Sequence, residues 1–293
     1  MKKTKVYFTS VITSNNIVKL YKMLNKELKG KVAVKIHSGE KGNQNYLHPE
    51  LLKEIIEHVN GTVVECNTAY PGQRDTTQKH KHLMEEHGWS KYFNVDIMDS
   101  IGPDLELDIP DGIRIKKNYL GKTIEKYDSM LVISHFKGHP MGGYGGAIKQ
   151  LSIGCASSKG KRYIHCVGKE NGTYEDMFKV NQDEFLESMV DSAKSVVDYF
   201  NGNLVYINIM CNMSVDCDCC ATAKDPCIRD IGILASTDPV AIDKACIDLV
   251  YNSKDLGKDA LIERIETKNG TYTIEVANKI GMGTKEYEFI NID

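Results

Sequence analysis

The sequence predicts an α/β protein in which mostly parallel sheets are flanked by helices. Three observations carry this. Met130-Leu131-Val132-Ile133 and Leu204–Met210 are unbroken apolar runs of strand length, as expected of strands covered on both faces. Asp183 to Phe200 is amphipathic at helical spacing, with Phe185, Leu186, Met189, Val190, Ala193, Val196, Val197 and Phe200 in one stripe. Strand and helix patterns alternate along the chain, which favours parallel pairing through helical crossovers.

In chain order, Lys5 to Thr9 reads as a strand and Asn15 to Leu28 as a helix, with Ile17, Leu20, Tyr21, Leu24 and Leu28 on one face. Lys31 to His37 is a second strand, feeding the loop Ser38-Gly39-Glu40-Lys41-Gly42-Asn43. Pro49 opens a helix carrying Leu51, Leu52, Ile55, Ile56 and Val59. Thr62 to Cys66 is a third strand, and Asp75 to His87 a polar helix. His80 and His82 there do not share a helical face, so with His87 they read as solvated surface rather than a metal site. Val95–Met98, Leu105–Ile109 and Ile113–Ile115 read as short strands, and Met130 to His135 as the strand before the glycine-rich stretch. Asp238-Pro239 supplies an N-cap and a first-turn proline to the helix that follows. Gly257–Glu266 and Tyr272–Lys279 close the chain as helices.

At 293 residues there is room for one large α/β domain or two lobes. The division expected is an N-terminal lobe, 1–150, ending in the glycine-rich loop, and a C-terminal lobe, 151–293, carrying the cysteines; a single domain is the alternative. A net charge of −3, with no basic stripe interleaved with aromatics, argues against a nucleic-acid partner. No run reaches bilayer length. Met1-Lys2-Lys3-Thr4-Lys5 is basic like a signal peptide, but no apolar core follows it, so the reading is cytoplasmic.

The stretch Ser134 to Lys149 draws most attention. Gly138, Gly142, Gly143, Gly145 and Gly146 crowd one span after a buried strand, among His135, His139 and several lysines. Such a loop can approach a ligand closely and form an anion-binding nest, where an open α/β sheet usually holds its ligand. It is not a P-loop, because Gly154 to Gly160-Lys161 has five intervening residues and Arg162 replaces Ser or Thr. Gly143, Gly145, Gly146, Asn43, Lys149 and Lys161 are the residues expected to hold a small anionic ligand or cofactor phosphate. His139, His37 and Glu40 are candidate acid–base groups.

Nine cysteines in a chain read as cytoplasmic point to metal or catalysis rather than disulfides. Cys217, Cys219 and Cys220 follow a strand directly, flanked by Asp216 and Asp218. Neighbouring carboxylates oppose thiol ionisation, and a bound cation reverses that penalty. The spacing matches neither paired zinc knuckles nor the ferredoxin run. A cluster gathered from separate loops stays open, with Cys155 as the distant donor, while Cys66, Cys166 and Cys246 read as buried thiols.

Val34-Lys35-Ile36-His37 with Gly39-Glu40-Lys41-Gly42-Asn43, then Lys137-Gly138-His139, Gly145-Gly146-Ala147-Ile148-Lys149 and Gly154-Cys155-Ala156-Ser157, resemble domain-of-unknown-function family 362, the uncharacterised Fe–S centre proteins. So do Asp216-Cys217-Asp218-Cys219 and the run from Asp230 to Asp243. Many members of that family carry an inserted ferredoxin module before the long helix. Here Cys166 to Asp183 is short and holds no such cysteine run, so a cluster would use the cysteines of the main fold. A fainter likeness reaches the lactate racemase family, whose glycine loop carries His and Lys with the ten-residue spacing of His139 and Lys149. In that family both residues contact a nickel-pincer nucleotide between two α/β lobes, which implies a cleft faced by His139 and Lys149.

The function expected is an iron–sulfur enzyme, with a [4Fe–4S] cluster on Cys155, Cys217 and Cys219 and either Cys220 or Cys227 as fourth ligand or one iron left open, acting on a small anionic substrate by isomerisation, lyase or sulfur-transfer chemistry. A non-catalytic electron-transfer or cluster-carrier protein with a redox partner is the first alternative, a lactate-racemase-like isomerase with an organic metal cofactor the second, and a zinc-stabilised binding module the third. A homo-oligomer is compatible with all four.

Overall fold

The computed structural model describes residues 3–293; Met1 and Lys2, which begin the basic start, lie outside the described residues. The elements of the first half are β1 (Thr4–Thr9), α1 (Ser14–Met23), β2 (Val32–Lys35), α2 (Pro49–His58), β3 (Gly61–Glu65), α3 (Thr77–Glu86), α4 (Trp89–Tyr92), β4 (Val95–Ile97), β5 (Leu105–Asp108), β6 (Lys117–Leu120), β7 (Ser129–His135), β8 (Lys137–His139) and β9 (Gly143–Gly145). There follow α5 (Ala147–Cys155), α6 (Ser158–His165), α7 (Gln182–Tyr199), β10 (Leu204–Met210), β11 (Gly232–Ser236), α8 (Pro239–Asn252), α9 (Lys258–Thr267), α10 (Tyr272–Lys279) and β12 (Tyr287–Asn291).

Among the described residues, eight strands form one sheet in the order β12-β1-β11-β10-β7-β2-β3-β4. β11 runs antiparallel to both its neighbours, and the other pairings are parallel. The α/β class with a mostly parallel sheet is therefore as the sequence predicts. The division expected at residue 150 does not show in the sheet, because β10 and β11 lie between β1 and β7.

The apolar runs explain the layering. Successive side chains of β7 point to opposite faces. Met130 and Val132 pack with α5, α7 and α8, whereas Leu131 and Ile133 pack with α1 and α2. Leu204 and Tyr206 of β10 join the first set, Val205 and Ile207 the second. Each fully buried aliphatic side chain contributes about 1.5–3 kcal/mol, so both faces must be covered.

Local signals set the helix ends. Asn181 caps α7 by accepting the N–H groups of Asp183 and Glu184, and Asp238 caps α8 through Val240 and Ala241. α1 stops at Met23, short of the expected Leu28, because Asn25 turns left-handed at φ 49°. Ile113–Ile115 is not a strand: the three N–H groups go to the Asp191 carboxylate of α7 instead of a ladder. His80 is not surface either; it is fully buried, with Nε2 3.2 Å from Ser38 Oγ.

The largest departure lies after β7. Residues 137–145 fold into the hairpin β8–β9, and the chain then enters two helices, α5 and α6, that periodicity alone did not reveal. Their glycines serve close packing. A Cβ on Gly138 would stand 2.5 Å from the Val215 carbonyl oxygen, and one on Gly146 2.4 Å from Asp243 Oδ1. Asp243, fully buried on α8, accepts the N–H groups of Ala147 (2.7 Å) and Ile148 (3.0 Å) at the start of α5. The anion site at this helix N-terminus is thus filled by the protein's own carboxylate.

Asp243→Ala is expected to destabilise the protein by at least about 3 kcal/mol, since the bonds that the carboxylate accepts from Ala147, Ile148 and Asn208 Nδ2 are lost inside the core. Urea unfolding followed by circular dichroism measures this, and an unchanged midpoint would show that the carboxylate does not hold α5.

Candidate functional site

Four adjacent parallel strands, β3, β2, β7 and β10, send their carboxyl-terminal loops to one edge of the sheet. That edge is where open α/β sheets bind ligands. β3 delivers Tyr70 and Arg74, β2 delivers His37 and Glu40, β7 delivers Lys137 and His139, and β10 delivers the cysteine loop.

The cysteine loop is held from three sides. The N–H of Gly138 donates to Ser214 O (2.8 Å), and the N–H of Glu40 to Asp218 O (2.8 Å). Asn43 Nδ2 donates to Cys220 O at 2.9 Å, while Asn43 Oδ1 accepts from the N–H groups of Asn45 and Tyr46. Asn43 therefore positions the loop, with its amide spent on main chain rather than on a ligand. The Asp218 carboxylate lies 2.9 Å from His135 Nδ1 and 2.6 Å from Lys137 Nζ. Burial alone would raise this carboxyl, but His135 and Lys137 outweigh it and hold it well below the usual carboxylate range.

So fixed, the loop presents its thiols beside the hairpin. Among the described residues, His139, Cys217 and Cys219 are the group whose ligand atoms all lie within 4.8 Å of one another, close enough to hold a metal ion. A hydrogen bond with Cys219, together with burial, pushes the Cys217 thiol up to about 11. Cys220 is half-buried at the edge of the group and bonds to Cys219. Cys155 is elsewhere. It ends α5, so its sulfur enters the core 3.9 Å from Met130 Sδ, fully buried. Its assignment as a ligand rested on reading residues 147–155 as a loop, and the helix removes it.

Lys149, His165, Cys219, Arg74 and His37 border a cavity of about 410 Å³ that also takes in His139 and Lys161. Gly143, Gly145 and Gly146 do not line it. Gly145 and Gly146 border only a separate void of about 10 Å³, and the expected glycine nest is filled by Asp243. Glu40 lies outside the cavity, paired with Arg74 (3.2 Å). Lys161 is tied to Ala156 O (2.6 Å), and burial lowers its ammonium. Lys149 is half-buried and makes no hydrogen bond or ion pair among the described residues.

Two of the three histidines that line the cavity, His139 and His165, are held in opposite tautomers. His139 Nδ1 accepts the N–H groups of Met141 (3.2 Å) and Gly142 (2.9 Å). Burial, and then the charge of Lys149, depresses this ring to about 4, so it is neutral with its proton on Nε2. His165 Nδ1 stands 2.7 Å from Lys161 O, and a carbonyl only accepts, so here Nδ1 carries the proton. Burial depresses this ring to about 4 as well, which leaves Nε2 a lone pair on the cavity wall. His37 is likewise held well below its ordinary value, by burial and then by Arg74.

Sequence reading missed His165, Arg74 and Tyr70. Lys161 and His165 are one helical turn apart, a signal visible only once α6 is known to be a helix. Arg74 sits in the loop after β3 and carries no local signal.

The sequence matches the family described as domain of unknown function (DUF362) over residues 32–248. No curated protein matches. Among solved structures, the chain is similar to the lactate racemase apoprotein from Thermoanaerobacterium thermosaccharolyticum, with 18% identity and a TM-score of 0.42, over 69% of this chain and 50% of that one. A protein of known structure from Thermotoga maritima gives 9% identity and a TM-score of 0.40, over 91% of this chain and 58% of that one. The chain thus spans only about half of the length of either. Among the described residues, no helix is long and apolar enough to cross a membrane.

Breaking a buried pair that involves Asp218 costs roughly 3–5 kcal/mol. Because its carboxyl is depressed in the fold, that stabilisation is full above the unfolded value, near pH 4, and is lost as pH falls below it. Asp218→Asn is accordingly expected to lower stability strongly at pH 7, with the difference from the parent shrinking towards pH 3. Thermal melts across that range measure it, and a constant difference would show that the carboxylate's charge is not involved.

Proposed function

The chain belongs to the DUF362 family, and on that footing we propose that it is a metal-dependent enzyme that moves a proton on a small anionic substrate. The observation that carries this reading is the cavity on which unpaired Lys149, the Nε2–H of His139, the Nε2 lone pair of His165 and the Cys219 thiol converge. A substrate-sized cavity favours an enzyme over a cluster carrier, which needs no such space.

The iron–sulfur cluster implied by the resemblance does not fit the donors. Cys155 is in the core, and Cys217 and Cys219 lie in a group whose ligand atoms span no more than 4.8 Å. A four-iron cluster asks for thiolates spread over separate irons. A single tetrahedral ion with metal–sulfur bonds near 2.3 Å spaces its sulfurs by about 3.8 Å, which suits this pair. Cys217 and Cys219 would hold one thiophilic cation, and His139 would stay outside it, because its Nδ1 is taken by main-chain N–H groups and its Nε2 carries the proton. Such a cation would supply Lewis acidity towards a carbonyl or carboxylate oxygen.

The chain's own groups divide the remaining work. Lys149 anchors the anion. His165 Nε2 accepts the proton leaving the carbon next to the carboxylate, and His139 Nε2–H donates to the oxygen on which negative charge develops. Returning the proton to the same carbon gives isomerisation; losing a group from the neighbouring carbon gives elimination.

Protein purified without oxygen is expected to bind about one thiophilic metal ion per chain. Cys217→Ser and Cys219→Ser should each reduce that metal to background, whereas Cys155→Ser should retain it. Elemental analysis with an acid-labile sulfide assay decides the matter: four irons with matching sulfide, or full metal in both loop variants, would overturn the single-ion site. For any 2-hydroxy acid that binds, His165→Gln should leave the metal in place and abolish deuterium uptake at its α-carbon from D2O, read by NMR. Undiminished uptake would remove His165 from its role.

A further inference from the structure

The cavity is lined by apolar as well as basic side chains, and the apolar ones say what the anion is attached to. Beside the basic groups, Met141, Ile153, Met177, Phe178, Val180 and Phe185 also line it, Phe185 stacked on His165 at 5.0 Å. Phe185 comes from α7, while Met177, Phe178 and Val180 come from the connection between α6 and α7. Met177 is buried, but Phe178 is 61% exposed and Tyr174 46%, the two rings meeting edge to face at 5.2 Å. Large aromatic side chains left open around a cavity mouth mark a surface that a ligand covers.

A wholly polar anion such as inorganic phosphate would satisfy Lys149 and leave this apolar lining facing water. Apolar surface removed from water contributes about 25 cal/mol per Å², so a ligand that meets both kinds of lining gains from both. The volume of about 410 Å³ falls in the range of roughly 300–1,000 Å³ usual for small-molecule sites, which are mostly apolar with a few placed polar groups. We infer that the substrate is an amphipathic carboxylate, its charged end at Lys149 and a short apolar arm against Met177, Phe178 and Val180. This rests on the anion-binding reading above and adds the nature of the rest of the molecule.

Ligand-observed NMR titration of the full chain, purified without oxygen, tests it with acetate, butanoate, hexanoate, octanoate and hexan-1-ol. Affinity is expected to rise about 3–4-fold per methylene until the cavity is filled, with hexanoate at least about tenfold tighter than hexan-1-ol, as expected for a charged contact. Phe178→Ser, at an exposed position that the fold tolerates, should flatten the chain-length dependence and leave acetate affinity unchanged. Lys149→Met should weaken every carboxylate and leave hexan-1-ol unaffected. Hexanoate binding no tighter than acetate would overturn the apolar arm while leaving the anion site intact. Equal affinity for hexanoate and hexan-1-ol, no binding by any carboxylate, or no effect of Lys149→Met would instead overturn the anion site itself.

Discussion

Asp218 meets His135 and Lys137 in a place sealed from water, where the carboxyl ends of β7 and β10 come together. Taking such groups out of water costs several kcal/mol each, and mutual attraction recovers it only when the geometry is good. Hydrophobic residues could fill the same volume with equal or better stability, so the pair is better understood as a positioning device. An aspartate at 218 can sit in only one place relative to β7, and that choice fixes Cys217 and Cys219 on either side of it. The flanking carboxylate that would otherwise oppose thiol ionisation is thereby turned away and neutralised.

The same logic extends along the sheet edge. Lys35, fully buried in β2, donates to Glu65 at the end of β3 (2.6 Å), and Glu65 also accepts the N–H of Ser38. Arg74 is spent on Glu40 and on the hydroxyl of Tyr70. Nearly every buried charge on this floor has its opposite, so the strands fix a rigid polar platform that has no use for a ligand. Lys149 is the departure. It projects from α5, whose start is anchored by Asp243 rather than by the platform, and so its ammonium is placed without being paired. An anion entering the cavity meets the Lys149 ammonium without competing with an internal carboxylate for it.

How much of this was legible in the sequence follows from what kind of signal each part leaves. β7 and β10 were readable because strands buried on both faces must be apolar throughout, and α7 and α8 because stripe and cap agree. The hairpin and α5 were read as an open loop because glycines that permit close backbone approach look the same in sequence as glycines that cradle a phosphate. The contact that distinguishes them, Asp243 against Gly146 and Ala147, spans 96 residues for the Ala147 bond. Cys155 was misplaced for the same reason: a loop could have turned it to the other thiols, whereas as the last residue of α5 it carries its sulfur into the core beside Met130. Cys217, Cys219, His139 and Lys149 could be singled out because dense thiols and a His–Lys pair are chemically conspicuous. The tautomers of His139 and His165 could not, since each is dictated by a main-chain partner, one an N–H and the other a carbonyl.

The polar and apolar linings of the cavity are built by different kinds of structure, and this has consequences for specificity. The polar lining is carried by strand ends and by α5 and α6, whose positions are set by the sheet and by buried ion pairs; a change there disturbs the core. Half of the apolar lining, Met177, Phe178 and Val180, comes from residues 174–180, a connection with an exposed outer surface and few buried side chains. Substitutions in that connection alter the length and width available to an apolar arm without moving Lys149, His139 or His165. Chemistry and substrate choice are thus separable in this fold: the platform fixes where charge and protons go, and the connection fixes what else the substrate can carry.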